Sequence, residues 1–128
     1  MDRSVLIVDD AGFIREMLTH ICEELGYVVV GEAMSGDEAI ILANQLKPAI
    51  IFMDIVMPGK NGIDAGAEIL KRNPHISLIA LSSLEASFVQ QKSKKVEFTH
   101  IITKPFTKSD IQSALSACHQ AEMRLKHG

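Results

Sequence analysis

Five short apolar runs punctuate the chain, at 5–8, 28–30, 49–53, 78–81 and 100–102. They are continuous rather than alternating, the pattern of strands covered on both faces of a parallel sheet. Between them lie segments of helical period. Phe13, Ile14, Met17, Leu18, Ile21, Cys22 and Leu25 form one apolar stripe, and Gly26 supplies a stop. Ser35-Gly36-Asp37-Glu38 reads as a capping box opening a second helix to about Gln45, and Pro48 ends it. A third runs from near Asn61 to Arg72, with Ile63, Ala67 and Leu70 inward and Asn73-Pro74 closing it. A fourth, over 85–95, is the weakest, with only Phe88 and Val89 standing out among polar residues. A fifth begins after Thr107 and carries Ile111, Ala114, Leu115, Cys118 and Leu125 inward.

Strand and helix thus alternate five times, and right-handed crossovers turn that order into an α/β fold. The expected architecture is a doubly wound, five-stranded parallel sheet with five helices. In such sheets ligands sit beyond the carboxyl ends of the strands, so chemistry belongs in the loops that follow them.

Bulk properties narrow the classes without choosing among them. At 128 residues the chain fits a single domain, and its 47% hydrophobic and 23% charged residues are ordinary for a globular one. A net charge of −3 offers no clustered basic face, so direct nucleic-acid binding is not expected. No run approaches the roughly 20 apolar residues that span a membrane. The opening Met1-Asp2-Arg3 has no signal-peptide character. Cys22 and Cys118 fall at apolar helical positions, which favours buried thiols in a reducing compartment and hence the cytoplasm.

Four loops carry the chemistry. Asp9-Asp10 follow the first strand, Asp54 the third, Ser82-Ser83 the fourth, and Lys104-Pro105 the fifth. Each has a commonplace reading by itself: Asp-Asp as a helix cap, Ser82 as a turn residue, Lys104 as a solvated lysine. Together they converge on one sheet edge. Clustered carboxylates repel and are costly to desolvate, and a hard cation resolves that conflict. Mg²⁺ takes carboxylate, phosphate and water oxygens, which suits Asp9, Asp10 and Asp54. A carboxylate nucleophile also needs a hydroxyl and an ammonium against the phosphoryl oxygens, parts that Ser82 and Lys104 supply.

The segments VLIVDD, IIFMDIVMPGKNG, IALSS and IITKPF resemble, in order and spacing, the motifs of the CheY-like receiver domains of two-component response regulators. The resemblance covers residues 3–123, the body of a single receiver domain spanning 1–128. It implies the flavodoxin-like strand order 2-1-3-4-5. It also implies that Asp54 is the phosphoacceptor for a sensor histidine kinase's phosphohistidine. Asp9, Asp10 and Asp54 would hold Mg²⁺ together with the backbone carbonyl of Val56. Ser82 resembles the family's switch hydroxyl and Lys104 its phosphoryl-contacting lysine.

The implied function is a signalling switch rather than an enzyme, one that assists its own phosphorylation and dephosphorylation. It would change the face formed by the fourth helix, fifth strand and fifth helix, controlling a downstream protein or output domain, and the resemblance also allows a dimer through that face. Both a stand-alone regulator and the front of a longer one fit. Gly59 and Gly62 would permit positive φ in the turn after the acceptor, and Lys60 reads as a solvated turn residue. Ile101 stands where many receivers carry an inward-turning aromatic, with His100 beside it. Val56 and Leu84 flank the expected path of a hydrolytic water and offer it no hydrogen bond.

Competing readings are weaker. A haloacid-dehalogenase-like phosphatase needs a second acid two residues past the nucleophile, where Val56 stands. A flavodoxin-like cofactor site needs backbone donors where Asp9-Asp10 would repel a phosphate. A degenerate receiver, acting as a phosphorylation-independent interaction module, is the remaining alternative.

Overall fold

The most apolar run makes the middle of the sheet. In the computed structural model, which describes residues 2–83, 89, 91, 94 and 96–127, β3 (Ile50–Asp54) is buried along its whole length. β1 (Ser4–Val8) and β4 (Ser77–Ser82) flank it, with β2 (Val28–Ala33) and β5 (His100–Thr103) at the edges. Every pairing is parallel and the order is β2-β1-β3-β4-β5, the flavodoxin-like arrangement the sequence implies.

Alternate residues of each strand feed two separate cores. Val5, Ile7, Phe52, Ile79 and Leu81 pack against Leu18 and Cys22 of α1 (Gly12–Glu24) and against Ile111, Ala114 and Cys118 of the C-terminal helix α4 (Lys108–His127). Leu6, Val8, Ile51 and Met53 turn the other way, onto Ala39 and Ala43 of α2 (Gly36–Leu46) and Ala65 and Ile69 of α3 (Gly62–Arg72). Each fully buried Ile or Leu contributes roughly 1.5–3 kcal/mol, enough to make the layered scaffold rigid under its loops.

Local signals set the helix ends. Gly26, at φ 86°, closes α1 with Tyr27 N–H donating to Cys22 O and Gly26 N–H to Glu23 O, a Schellman arrangement. Ser35 caps α2 by accepting from Glu38 N–H at 3.2 Å, while Glu38 reaches back to Met34 N–H. Asn61 caps α3, and Thr107 and Asp110 cap α4 reciprocally.

Four helices lie among the described residues. Most of the helix expected over 85–95, Phe88 included, falls outside them, as do Leu84 and the side chain of Leu125; of that stretch Val89 and Gln91 are described as helical, and Val89 is buried. Three expectations are corrected. Phe13 is 69% exposed and Met17 is also exposed, because α1 buries only the narrower stripe through Leu18 and Cys22. The run 28–30 is an edge strand with Val28 and Val30 exposed, bent by a register shift opposite Val5 and Leu6. On α3 the deepest residues are Gly62, Ala65, Gly66 and Ile69, whereas Ile63, Ala67 and Leu70 are half-buried. Small residues let that helix approach the sheet closely: a Cβ on Gly66 would meet Leu78 at 3.0 Å.

Candidate functional site

Register brings the acids together. Val8 pairs with Met53, so Asp9 and Asp54 are the next positions on neighbouring strands. Asp54 in turn lies opposite Leu81, so Ser82 follows at the same edge, and Ser82 pairs with Thr103, just before Lys104. Lys104 N–H donates to Ser82 O at 2.7 Å, tying the last two strand ends. The Lys104–Pro105 peptide is cis.

Asp9 is fully buried and Asp54 is 4% exposed, whereas Asp10 reaches solvent. Oxygens of the three carboxylates lie within 4.8 Å of one another. Lys104 Nζ bridges two of them, at 2.7 Å from Asp9 Oδ2 and 3.6 Å from Asp54 Oδ1. Asp9 Oδ1 accepts from Ala11 N–H at 2.9 Å, yet the N-cap of α1 is Ala11, with no side-chain cap. Helix capping therefore does not account for the Asp-Asp pair. Ser82 is buried at the edge of this pocket.

Charge balance makes the pocket unusual. Burial, then repulsion from Asp9, push the Asp54 carboxyl up to about 7; Lys104 opposes this, and Asp10 adds to it as hydrogen-bond partner and as a charge. Burial alone would lower the Lys104 ammonium, but the Asp9 hydrogen bond and the charges of Asp54 and Asp9 carry it above its ordinary value. Three carboxylates against one ammonium leave a deficit of positive charge where Asp9 and Asp54 are withdrawn from solvent. Hard oxygen donors converging in this way fit Mg²⁺, and burial of Asp9 and Asp54 means that a bound cation would relieve a repulsion already present.

The turn after β3 holds Asp54 in place. Ile55 N–H donates to Leu81 O at 3.0 Å, and Gly62 N–H to Ile55 O at 2.9 Å. Gly59 has φ 78°, as expected of a turn glycine. Gly62 does not; it is required for close approach, since a Cβ there would be driven into the Asp54 carbonyl oxygen and reach 2.9 Å from Ile55 Cα. Lys60 is not simply solvated: Nζ lies 2.6 Å from Glu68 Oε1 and 3.7 Å from Asp37 Oδ1, fastening the turn to α3 and α2. Val56 stands in this turn with its side chain 62% exposed. Ile101 packs with Ile55, Ala80 and Val89, an aliphatic contact at the strand position before Ile102.

Arg15 escaped the sequence reading. Its Nη1 donates to Asp9 O at 2.7 Å and its Nε to Glu32 Oε1 at 3.1 Å. The available signal was its place in the first turns of a helix, where long side chains lean toward the N-terminus and so toward Asp9.

A central parallel sheet with acids and a lysine at its carboxyl edge defines a receiver-type domain, and comparison with known proteins agrees. The chain belongs to the response regulator receiver domain family, whose model matches residues 5–116. It is similar to the chemotaxis protein CheY of Thermotoga maritima, 43% identical over 116 residues that cover 91% of this chain and 97% of that one. Among solved structures it resembles the chemotaxis protein CheY4 of Vibrio cholerae, with a TM-score of 0.83, 26% identity and coverage of 91% and 98% of the two chains. It also resembles a chain in the CheX-CheY-BeF3-Mg²⁺ complex from Borrelia burgdorferi, with a TM-score of 0.79, 28% identity and coverage of 88% and 85%. Its place is therefore among the receivers of two-component signalling. No helix among the described residues is long and apolar enough to cross a membrane.

Proposed function

We propose that the protein is a phosphorylation-dependent switch whose Asp54 accepts a phosphoryl group from the phosphohistidine of a sensor histidine kinase. The observation that carries this reading is the buried cluster of Asp9, Asp10 and Asp54 against Lys104. An Asp54 oxygen attacks phosphorus as the bond to the donor imidazole nitrogen breaks; that nitrogen keeps the electron pair, and an acyl phosphate forms on Asp54. Lys104 meets one phosphoryl oxygen and the Ser82 hydroxyl another. Asp9, Asp10, Asp54 and the Val56 carbonyl are the residues that would hold Mg²⁺. The cation, when bound, keeps Asp54 ionised and offsets charge on the transferring group.

On this reading the protein is a phosphoacceptor that assists its own phosphorylation and dephosphorylation, not an enzyme acting on a separate substrate. It works in the cytoplasm, where kinases of this kind present their phosphohistidine. The CheX-CheY-BeF3-Mg²⁺ complex from Borrelia burgdorferi, which holds a similar chain, supports both a cation and a protein partner. A phosphoryl group adds close to two negative charges beside Lys104 and Ser82, which biases the neighbouring face of β5 and α4 toward a downstream protein, an output domain or a second copy.

Incubation with a small-molecule phosphodonor and Mg²⁺, followed by intact mass measurement, tests the reading. One phosphoryl group should appear on the wild-type chain and none on Asp54→Asn. Labelling that persists in Asp54→Asn contradicts the assignment, and a wild-type chain that takes no label points to the phosphorylation-independent module.

A further inference from the structure

The pocket holds two kinds of acid. Asp9 is anchored through its whole length: its N–H donates to Ala33 O at 3.1 Å, Oδ1 accepts from Ala11 N–H and Oδ2 takes Lys104. Asp10 is exposed, and its direction depends on the peptide that joins it to Asp9. The carbonyl of that peptide accepts from Arg15 Nη1 at 2.7 Å, and Arg15 is itself fastened to Glu32, near the end of β2, through Nε at 3.1 Å.

Arg15 is an odd choice on simple grounds. It lies in the fourth position of α1, whose first turn has no acidic residue, so its cation faces the positive end of the helix dipole. It also adds positive charge near a pocket whose acids are to hold a cation. Both effects are unfavourable, whereas the two hydrogen bonds give the guanidinium a definite task. A planar fork holds a carbonyl and a carboxylate in fixed relative directions, whereas an ammonium on a flexible stem attracts both without fixing them.

We infer that Arg15 is a positioning residue for the cation site: by clamping the Asp9 carbonyl to Glu32 it fixes the Asp9–Asp10 peptide and aims the Asp10 carboxylate at Asp54. The inference rests on the reading of the acid cluster as a Mg²⁺ site and names what orders it. Metal sites depend on such outer partners, whose loss typically weakens binding between ten- and a hundredfold.

The sign of the effect separates positioning from charge. Removing a nearby cation strengthens Mg²⁺ binding if Arg15 acts only through its field; removing a clamp weakens it. Mg²⁺ is titrated into the wild type, Arg15→Met, Arg15→Lys and Glu32→Gln, following backbone amide shifts, with core amides of β3 and β4 reporting that each variant is folded. Arg15→Met should bind about tenfold more weakly despite its lost charge. Arg15→Lys should restore part of the loss, and Glu32→Gln, which keeps Arg15 but loosens its anchor, should show a smaller weakening. The amides of Asp10 and Ala11 should shift in Arg15→Met before any metal is added. Equal or tighter binding by a folded Arg15→Met overturns the inference while leaving the metal reading intact. A wild type that does not respond to Mg²⁺ removes that reading, and this inference with it.

Discussion

Two lysines in this molecule each bridge a pair of acids, and the two bridges do opposite work. Lys60 joins Asp37 and Glu68, whose side chains are 76% and 52% exposed, and water shares the charge on every partner. The Lys60 ammonium is raised and the Glu68 carboxyl lowered, each first by their mutual hydrogen bond, as in any contented ion pair. Lys104 joins Asp9 and Asp54, both withdrawn from water, with Asp10 as a third acid beside them. There the bridge does not satisfy its partners: Asp54 is pushed up to about 7, not down. The difference is solvent and stoichiometry rather than contact geometry. The first bridge secures a turn, whereas the second leaves unmet demand for positive charge.

Removing the lysines should break the comparison most visibly. Lys104→Met leaves buried carboxylates without their ammonium, so it should lower the unfolding free energy by about 3 kcal/mol at pH 8 in a metal-free denaturant titration. Lys60→Met touches only solvated acids and should leave the midpoint nearly unmoved. Comparable losses in the two variants would remove the contrast.

Removing an acid should act with the reverse sign. Asp54 titrates near its ordinary value, about 4, in the unfolded chain and about 7 in the folded one. The folded chain therefore binds more protons between those pH values, and stability is lost as pH rises from about 4 to about 7, with a constant penalty above. Without metal, Asp54→Asn should be more stable than wild type by roughly 2 kcal/mol at pH 8, solvent screening included, and the gain should vanish below pH 4. A destabilised Asp54→Asn at pH 8 would show that Lys104 already satisfies the site.

The smallest effect concerns the lifetime of the acyl phosphate proposed for Asp54. Val56, exposed beside Asp54, cannot orient a water for in-line attack. Val56→Asn should accelerate phosphoryl loss by about tenfold, equivalent to ~1.4 kcal/mol of barrier, in a time course of intact mass. Equal rates would show that this side chain does not govern water access.

Much of this was legible from periodicity. Continuous apolar runs marked the strands, and the residues at their carboxyl ends marked the pocket, because parallel crossovers bring all those ends to one edge. What periodicity could not supply was depth and partnership. The stripe through Phe13 and Met17 has helical spacing whether or not a neighbour covers it, and here both side chains are exposed. Arg15 and Lys60 look like ordinary surface cations until the fold sets Asp9 and Glu68 within reach. Gly62 reads as one more turn glycine, and only the doubled-back chain shows that its missing Cβ makes room for the Asp54 carbonyl.

On the proposed reading the buried cluster of Asp9, Asp10 and Asp54 is a cation site held in electrostatic tension. Thermal unfolding at pH 8 with increasing Mg²⁺ tests it most directly, since a ligand that binds only the folded chain stabilises it by mass action. The melting temperature should climb with Mg²⁺ for wild type and for Lys60→Met alike and stay flat for Asp54→Asn. A flat wild-type curve, or an equal climb in Asp54→Asn, would contradict the account.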